Sequence, residues 1–339
     1  MTAPLAPQSC ATPGATAYEW LRTEAGFVDR SDRLRMSFVG DQAAETLTGL
    51  VTNDVLALHA GHGQYAAALT PKGKVIADLR IFHRATGDFL VDVPAAAAAG
   101  FGAMIRKYVN PRLARYTDVS ASLACLGVVG PHARQVVAHA LDCSPSDFDL
   151  LPPFAHAAES HGGDTVIVVR SVDYGADGFD CFVRGADAPA LRNALIASGA
   201  SPADGAALEV LRIEGGRPAW GADMNEETLA QEAGLDRLGA LSYTKGCYTG
   251  QETVARVHFR GHVNRFLRGL RAESMPDGEA VVFAGDRDVG DVRSRAVSPR
   301  LGAIALAMLR REVETGAEVT VRAPGGETSA IVVDLPFSA

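Results

Sequence analysis

Several features that would place a protein in a special class are missing from this sequence of 339 residues. It has five cysteines, an odd number, and no CxxC pair, so a disulfide scaffold and a cysteine-clustered metal site are not expected. No apolar run is long enough to span a bilayer. The N-terminal segment MTAPLAPQSCATPGATAYEW lacks the basic and apolar regions of a signal peptide. We therefore expect a cytoplasmic protein in a reducing compartment that has no membrane partner.

The chain also lacks an excess of positive charge. Asp and Glu number 40 against 32 Lys and Arg, which gives a net charge of −8. An acidic chain has no overall positive field to attract nucleic acid, so nucleic acid is not an expected partner. The sequence contains no GxxxxGK[ST] phosphate loop, and no histidine pair stands with a carboxylate at a metal-binding spacing. A dinucleotide site and a structural metal site are therefore disfavoured.

The chain does have an ordinary globular composition, and its length suits two or three compact units. Residues 33–39 alternate as a strand does, and Asp41 is placed to cap a helix that ends at Leu50. A second strand and helix are predicted over residues 123–141. Short β-like runs separated by turns begin near His262 and are typical of a small barrel. We predict a flexible tail (1–16), two α/β subdomains (17–120 and 121–260) and a β-barrel (261–339).

The segment with the most residues suited to chemistry is KGCYTGQE, over residues 245–252. Glycines on either side of Cys247 let another group approach the backbone closely. Lys245 is a positive neighbour of the kind that lowers the pKa of a thiol and makes it nucleophilic. A structural loop around a half-buried small residue is the alternative interpretation of the same letters.

KGCYTGQE resembles the signature of the YgfZ-type folate-binding proteins, relatives of the aminomethyltransferase (T-protein) of the glycine cleavage system. Other segments are similar to the same superfamily and stand in the same order: LVTNDV (50–55), DYGADGFD (173–180), LRIEGG (211–216) and GAD (221–223). The resemblance covers the chain from about Gly26 to its end. It implies an α+β, ring-like, multi-domain aminomethyltransferase-type folate-binding fold with a C-terminal β-barrel. It also implies that tetrahydrofolate, or a one-carbon derivative of it, binds in a central pocket.

The resemblance implies roles for single residues as well. Asp180 stands where T-proteins have the glutamate that binds the pteridine ring, and a carboxylate suits this role because it accepts two N–H bonds from an aminopyrimidine edge. Asp78 is what remains of a pair of aspartates in a "GG.iDDL" strand, and a salt bridge to an arginine is its alternative role. The catalytic candidates are Cys247, Lys245 and Asp78. The candidates for binding the folate are Asp180, Asn53, Arg212, Glu214, Gln251 and Tyr174.

The first functional interpretation is a tetrahydrofolate-binding protein that acts in the assembly or repair of iron–sulfur enzymes, with Cys247 as the key thiol. Its implied partners are folate and iron–sulfur client enzymes or assembly proteins. The chemical step, and with it the question of enzymatic activity, stays open. One alternative is a folate-dependent aminomethyltransferase of the glycine cleavage type, against which the cysteine motif and the reduced aspartate pair argue. Another is a non-catalytic folate-sensing adaptor that binds partners through residues 253–272, an Arg-rich stretch without Asp or Glu.

Overall fold

The computed structural model describes residues 14–338. The helices in this range are α1 (Ala15–Thr23), α2 (Ala43–Leu50), α3 (Ala98–Tyr108), α4 (Ala133–Ala140), α5 (Ala188–Ala197), α6 (Gly205–Glu214) and α7 (Gln251–Arg260). The strands are β1 (Gly26–Asp29), β2 (Leu34–Val39), β3 (His62–Leu69), β4 (Val75–Ala85), β5 (Asp88–Val93), β6 (Arg115–Asp118), β7 (Leu123–Val129), β8 (His156–His161), β9 (Asp164–Ser171), β10 (Gly178–Arg184), β11 (Ser201–Pro202), β12 (Arg265–Ala272), β13 (Val281–Ala284), β14 (Arg287–Ser298), β15 (Gly302–Arg310), β16 (Glu318–Ala323) and β17 (Gly326–Val333).

The strands form two open sheets and a closed barrel. The first sheet has the order β3-β4-β5-β2-β6, and the second has the order β11-β1-β7-β10-β9-β8. The barrel has the order β12-β15-β14-β13-β16-β17, so every strand in it has two neighbours and no edge is left open. The predicted α+β fold with a C-terminal β-barrel is confirmed.

The two α/β parts interlock through β1. This strand precedes the first sheet in the chain, yet it pairs with β7 and β11 in the second sheet. The segment predicted as one subdomain, residues 17–120, therefore contributes a strand to the sheet of the next. The connection from β1 to β2 passes between the two sheets and places Arg30 and Arg33 there.

Side-chain alternation along β4 gives this strand two different faces. Ala77, Leu79 and Ile81 are buried in an apolar core against α2 and α3. Asp78 and Arg80 lie on the opposite face, where the first sheet approaches the second. The pattern of β4 thus directs its polar residues to the region between the sheets.

Helix α6 connects this region to the barrel. Asp204 is its N-cap, and the carboxylate Oδ1 accepts hydrogen bonds from the backbone N–H groups of Ala206 at 2.7 Å and Ala207 at 3.3 Å. Leu208 and Leu211 on α6 share a buried apolar cluster with barrel residues such as Leu306. The helix therefore has a fixed position between the barrel and the second sheet.

Part of the predicted flexible tail falls within the described residues. Residues 1–13 lie outside the described residues, but α1 begins at Ala15, so the last two residues of the predicted tail belong to a helix. Tyr18 and Leu21 of that helix are buried against α6, which explains why order begins earlier than predicted. No helix within residues 14–338 is long and apolar enough to cross a membrane.

Candidate functional site

A cavity of about 190 Å³ lies between the two sheets and the segment that follows α6. An apolar cavity of about 150 Å³ takes up a benzene ring, so this one has room for a small ring system, and any longer part of a ligand must extend outside. The lining residues come from β3, β4, the β1–β2 and β9–β10 connections, the end of β5, α6 and the loop after it. They are Arg30, Arg33, Tyr65, Asp78, Arg80, Pro94, Asp173, Tyr174, Arg212, Arg217, Pro218, Ala219 and Trp220.

Asp78 lines this cavity, and only one of its two carboxyl oxygens has a hydrogen-bond partner among the described residues. The hydroxyl of Tyr65 donates a hydrogen bond to its Oδ2 at 2.9 Å, whereas its buried Oδ1 has no hydrogen-bond partner among the described residues. Burial raises the pKa of the Asp78 carboxyl, although Arg33 and the bond from Tyr65 act in the opposite direction. A buried carboxyl with a raised pKa and an unpaired oxygen is suited to taking up and releasing a proton.

The second aspartate of the "GG.iDDL" pair, which this chain lacks, would not face the cavity. Position 77 holds an alanine that is fully buried in the apolar core with Leu79 and Ile81. Because neighbouring residues of a strand point to opposite faces, a carboxylate at position 77 would face that core. The loss of the pair therefore leaves the carboxylate on the cavity side in place. The alternative of a salt bridge does not hold for Asp78, which has no ion pair among the described residues.

One wall of the cavity is formed by Arg30, Arg80 and Asp173, which belong to a buried ion-pair network with Asp92 and Asp180. Arg80 donates to Asp92 Oδ2 through Nε at 3.0 Å and Nη2 at 2.6 Å, and its Nη1 donates to Asp180. Arg30 donates to Asp180 at 2.8 Å and to Asp173 at 2.7 Å. Burial opposes ionisation of Asp92, but nearby guanidinium groups outweigh it and lower its pKa to about 2. This wall is therefore charged but internally paired.

Asp180, the predicted pteridine ligand, lies behind this wall. It is 1% exposed and is not among the residues that line the cavity. Arg30 donates to both of its oxygens, and Arg80 donates to Oδ2. The facing residue across the strand pair is Gly127, where an added Cβ would lie 2.8 Å from Asp180 Oδ1. The backbone of β7 thus leaves little space above this carboxylate.

Tyr174 and Arg212, two of the predicted folate-binding residues, line the cavity. The guanidinium of Arg30 lies 5.5 Å from the ring centroid of Tyr174. Arg212 is held in place by hydrogen bonds to Asp223 and to Ser294 Oγ, both at 2.7 Å. These contacts fix the Arg212 side chain before any ligand binds.

Glu214, Asn53 and Gln251, the other predicted folate-binding residues, do not line the cavity. Glu214 accepts hydrogen bonds from the hydroxyls of Tyr18, at 2.8 Å, and Ser298, and so connects α1, α6 and the barrel. Asn53 donates through its side-chain amide to the carbonyls of Tyr65 and Gly239, both at 2.9 Å. Gln251 is the first residue of α7.

The KGCYTGQE segment is attached to the end of α2. The ammonium of Lys245 donates to the backbone carbonyls of Thr48, Val51 at 2.6 Å and Asn53 at 3.1 Å. Burial lowers its pKa to about 8, so it is charged at neutral pH and all three of its protons are used. Cys247 is exposed and does not line the cavity. The geometry therefore ties Lys245 to the backbone instead of to the thiol of Cys247.

Sequence reasoning missed several cavity residues. Tyr65 comes close to Asp78 because β3 pairs with β4, where it lies directly opposite Arg80. Trp220 has a buried indole N–H without a hydrogen-bond partner among the described residues. Asp173 lies inside the DYGADGFD segment that the sequence analysis identified, but the resemblance assigned the pteridine contact to Asp180. The remaining cavity residues come from the β1–β2 connection, β4, the end of β5 and the loop after α6, and only the tertiary structure brings these segments together.

The family follows from comparison with known proteins. Residues 8–242 match the model of the GCVT N-terminal domain, and residues 265–338 match the glycine cleavage T-protein C-terminal barrel domain. The chain belongs to the glycine cleavage T-protein family. The broader part of the predicted resemblance is thereby confirmed, and the barrel model begins at the first residue of β12.

Relatives within the T-protein family cover nearly the whole chain. The protein named aminomethyltransferase in Rubrobacter xylanophilus is 33% identical over 94% of this chain and 85% of its own length. The one in Saccharopolyspora erythraea is 31% identical over 96% of this chain and 90% of its own. The crystal structure of glycine cleavage system aminomethyltransferase T from Bartonella henselae matches with a TM-score of 0.85 at 23% identity. It covers 95% of this chain and 89% of its own, and so shows the shared fold.

Proposed function

We propose that this chain is a folate-dependent aminomethyltransferase of the glycine cleavage type and that the cavity binds the ring system of tetrahydrofolate. The observation that carries the proposal is the unpaired Oδ1 of Asp78, a buried carboxyl oxygen of a cavity-lining residue without a hydrogen-bond partner among the described residues. The names of the relatives at 33% and 31% identity support the reaction type. This proposal adopts the alternative from the sequence in place of the iron–sulfur interpretation, and the core-facing position of Ala77 removes one argument against it.

The polar groups in the cavity fit a tetrahydrofolate ring. Such a ring has N–H donors along its aminopyrimidine edge and a carbonyl oxygen that accepts. The cavity offers carboxylate acceptors at Asp78 and Asp173 and a buried donor at Trp220 Nε1. Buried polar atoms without partners destabilise a protein by about 1–3 kcal/mol each. A ligand that pairs with them recovers this free energy.

Individual residues of the chain have different roles around that ring. When bound, tetrahydrofolate supplies the nitrogen that receives the one-carbon unit. Asp78 holds or moves a proton at Oδ1, and Tyr65 fixes the orientation of the carboxyl through its bond to Oδ2. Arg212 and Tyr174 contribute polar groups to the lining, and Pro94 and Trp220 contribute apolar surface that excludes water.

The activity test is release of ammonia from an aminomethylated lipoyl carrier protein, with and without tetrahydrofolate. We expect folate-dependent release by the native protein and a loss of roughly 100-fold or more in kcat for Asp78→Asn. Asp177→Asn is the matched control, because Asp177 forms a surface ion pair with Arg170 and does not line the cavity. Equal rates for Asp78→Asn and Asp177→Asn would contradict the role of Asp78.

The iron–sulfur role is the second candidate function, and the exposure of Cys247 favours it. A thiol outside the cavity is open to a partner protein, although a single cysteine cannot hold a four-thiolate cluster alone. In a deletion strain, this candidate predicts that Cys247→Ser fails to restore iron–sulfur enzyme activity. The aminomethyltransferase proposal predicts full ammonia release by Cys247→Ser. The folate-sensing adaptor stays a prediction, with exposed Arg256 and Arg260 in its proposed surface.

A further inference from the structure

The N–H donors of a folate ring in the cavity require a carboxylate that faces the ring, and Asp180 does not do so. Its two oxygens are engaged by Arg30 at 3.1 and 2.8 Å, and Oδ2 is also engaged by Arg80. The side chain is 1% exposed, and the close backbone at Gly127 closes the space next to it. A ligand could reach Asp180 only after breaking a buried, charge-assisted pair, and breaking such a pair is strongly unfavourable.

Asp173 lies on the ligand side of the same arginines. It belongs to the β9–β10 connection, its side chain is 21% exposed, and it lines the cavity. Its hydrogen bonds and ion pairs with the described residues fall on Oδ2, which accepts from Arg30 Nη2 at 2.7 Å and lies 3.1 Å from Arg80 Nη1. Oδ1 is therefore available as an acceptor, and the carboxylate is held in one orientation by the two guanidinium groups.

The charge state of Asp173 differs from that of Asp78. Burial opposes ionisation of Asp173, but Arg80, Arg30, Arg33 and Arg217 outweigh it and lower its pKa far below the usual range. Asp78 has a raised pKa because of burial. Two carboxyl groups whose environments separate their pKa values commonly take different roles in one site. A permanently ionised carboxylate is suited to binding N–H donors and unsuited to proton transfer.

We propose that Asp173, and not Asp180, is the residue that accepts hydrogen bonds from the aminopyrimidine N–H groups of the folate ring. Asp180 is then a positioning residue that acts through Arg30 and Arg80. The inference rests on the proposed function, because it assumes that a folate ring occupies the cavity. It assigns the ligand specificity to a residue seven positions before the one that the motif indicates.

The test is calorimetric titration of three full-length proteins: native, Asp173→Asn and the control Asp177→Asn. Each is titrated with tetrahydrofolate and with its 2-desamino analogue, which lacks the exocyclic amino group. A hydrogen bond to a charged group contributes about 1.5–3 kcal/mol, so we expect Asp173→Asn to weaken binding of tetrahydrofolate roughly 10- to 100-fold. We also expect the native protein and Asp177→Asn to bind the analogue more weakly than tetrahydrofolate. Asp173→Asn should bind the two ligands alike, because its amide oxygen stays on Arg30 and Arg80 and its NH2 group, which cannot accept a hydrogen bond, faces the ligand.

Two results overturn the inference while leaving the proposed function intact. One is that Asp173→Asn binds tetrahydrofolate as tightly as the native protein. The other is that it binds more weakly but still discriminates against the analogue by the native ratio, which would place the contact elsewhere. Failure of the native protein to bind tetrahydrofolate would instead overturn the proposed function itself, together with this inference.

Folding of the variant is controlled separately, because Asp173 helps to neutralise Arg30 and Arg80. Thermal unfolding by circular dichroism is recorded for each protein. If Asp173→Asn does not fold, Asp173→Glu keeps the negative charge and moves the carboxylate by one methylene. We expect this variant to bind tetrahydrofolate at least 10-fold more weakly, and native affinity would overturn the inference.

Discussion

Identical side chains in this protein carry opposite chemical properties because of what surrounds them. Asp92 receives hydrogen bonds from arginines and has a pKa of about 2. Asp78, which is held by a neutral tyrosine, has a pKa raised by burial. Opposite charges nearby favour the ionised form of a carboxyl, whereas burial without a cation favours the neutral form. The neighbours of each aspartate, and not its residue type, therefore determine which one can transfer a proton.

Asp78 gives a prediction for stability as a function of pH. The folded chain binds the proton of the Asp78 carboxyl more tightly than the unfolded chain does. The stability that this proton contributes is therefore complete below the pKa of the unfolded chain and is lost as the pH rises through the pKa of the folded chain. Asp78→Asn is neutral at every pH. We expect this variant to be more stable than the native protein at about pH 7 and the difference to shrink toward about pH 4, near the carboxyl pKa of the unfolded chain. Urea unfolding at both values measures this, and a difference that does not change with pH would contradict it.

Lys245 gives a second prediction at the residue scale. A buried acceptor without a partner destabilises the fold by about 1–3 kcal/mol, so Lys245→Met should lower the free energy of unfolding by about 3 kcal/mol. The reason is that three backbone carbonyls lose their donor. Lys72→Met at an exposed position is the control. Urea denaturation measures both variants, and equal stabilities would show that the ammonium does not anchor the segment.

The exposed thiol of Cys247 gives a third prediction. Burial raises the pKa of the thiols of Cys125 and Cys181, and both side chains are fully buried. Since the thiolate is the reactive form, iodoacetamide should alkylate Cys247 in the native protein and leave Cys125 and Cys181 unmodified until urea is added. Peptide mapping by mass spectrometry identifies the modified residues. Early modification of Cys125 or Cys181 would contradict the described burial.

At the scale of elements, α6 serves two regions of the molecule with residues two positions apart. Arg212 reaches the cavity, and Glu214 accepts hydrogen bonds from α1 and the barrel. A helix advances 100° per residue, so the two side chains leave it on different faces. This separation explains why one of the two predicted folate-binding residues in LRIEGG lines the cavity and the other does not.

The contact between α1 and α6 can be tested through Tyr18. Its hydroxyl donates to both oxygens of Glu214, at 2.8 and 3.0 Å. Removal of a hydrogen bond to a charged group lowers stability by about 1.5–3 kcal/mol, and we expect this loss for Tyr18→Phe. Tyr108→Phe is the matched control because Tyr108 is 45% exposed. Chemical denaturation of both variants gives the values, and a loss under about 0.5 kcal/mol for Tyr18→Phe would contradict the contact.

Strand and helix predictions from the sequence were accurate where local patterns are strong. Alternation over residues 33–39 corresponds to β2, and the predicted helix ending at Leu50 corresponds to α2. Asp41 was wrong as the cap, because α2 begins at Ala43 with Gln42 at its N-cap and no side-chain hydrogen bond there. Residues 253–260 form most of α7, so the Arg-rich stretch is part helix and part strand. Local sequence patterns thus identify the presence of an element more reliably than they identify its ends.

At the scale of the whole molecule, the barrel and the α/β part share a core. Leu306 of the barrel, Leu211 of α6 and Tyr18 of α1 belong to one buried cluster. Shared apolar burial makes separate unfolding of either part unfavourable, because each would expose the surface that the other covers. The barrel therefore stabilises the helix that brings Arg212 to the cavity.

This shared core predicts cooperative unfolding. Leu306→Ala removes fully buried methyl groups and should lower stability by about 2–5 kcal/mol. Tryptophan fluorescence, which includes Trp220 in the cavity, should shift to lower urea together with circular dichroism. Leu56→Ala is the control, because Leu56 is 62% exposed and such a change is expected to alter stability by less than about 0.5 kcal/mol. A fluorescence transition that stays at the native midpoint would indicate that the parts unfold independently.

The sequence by itself determined the broader resemblance to the T-protein family but not the YgfZ type. It also determined the presence of a C-terminal barrel and the position of Asp78 on a strand. These follow from contiguous letters, since motifs, turn residues and alternation act over a few positions. The tertiary structure alone decided that Asp78 meets Tyr65, that Asp180 is covered by Arg30 and Arg80, and that Lys245 binds backbone carbonyls. Strand pairing and the packing of distant segments produce these contacts, and no local pattern records which charged side chain neutralises which. The chemistry of each carboxylate therefore became visible only with its neighbours in place.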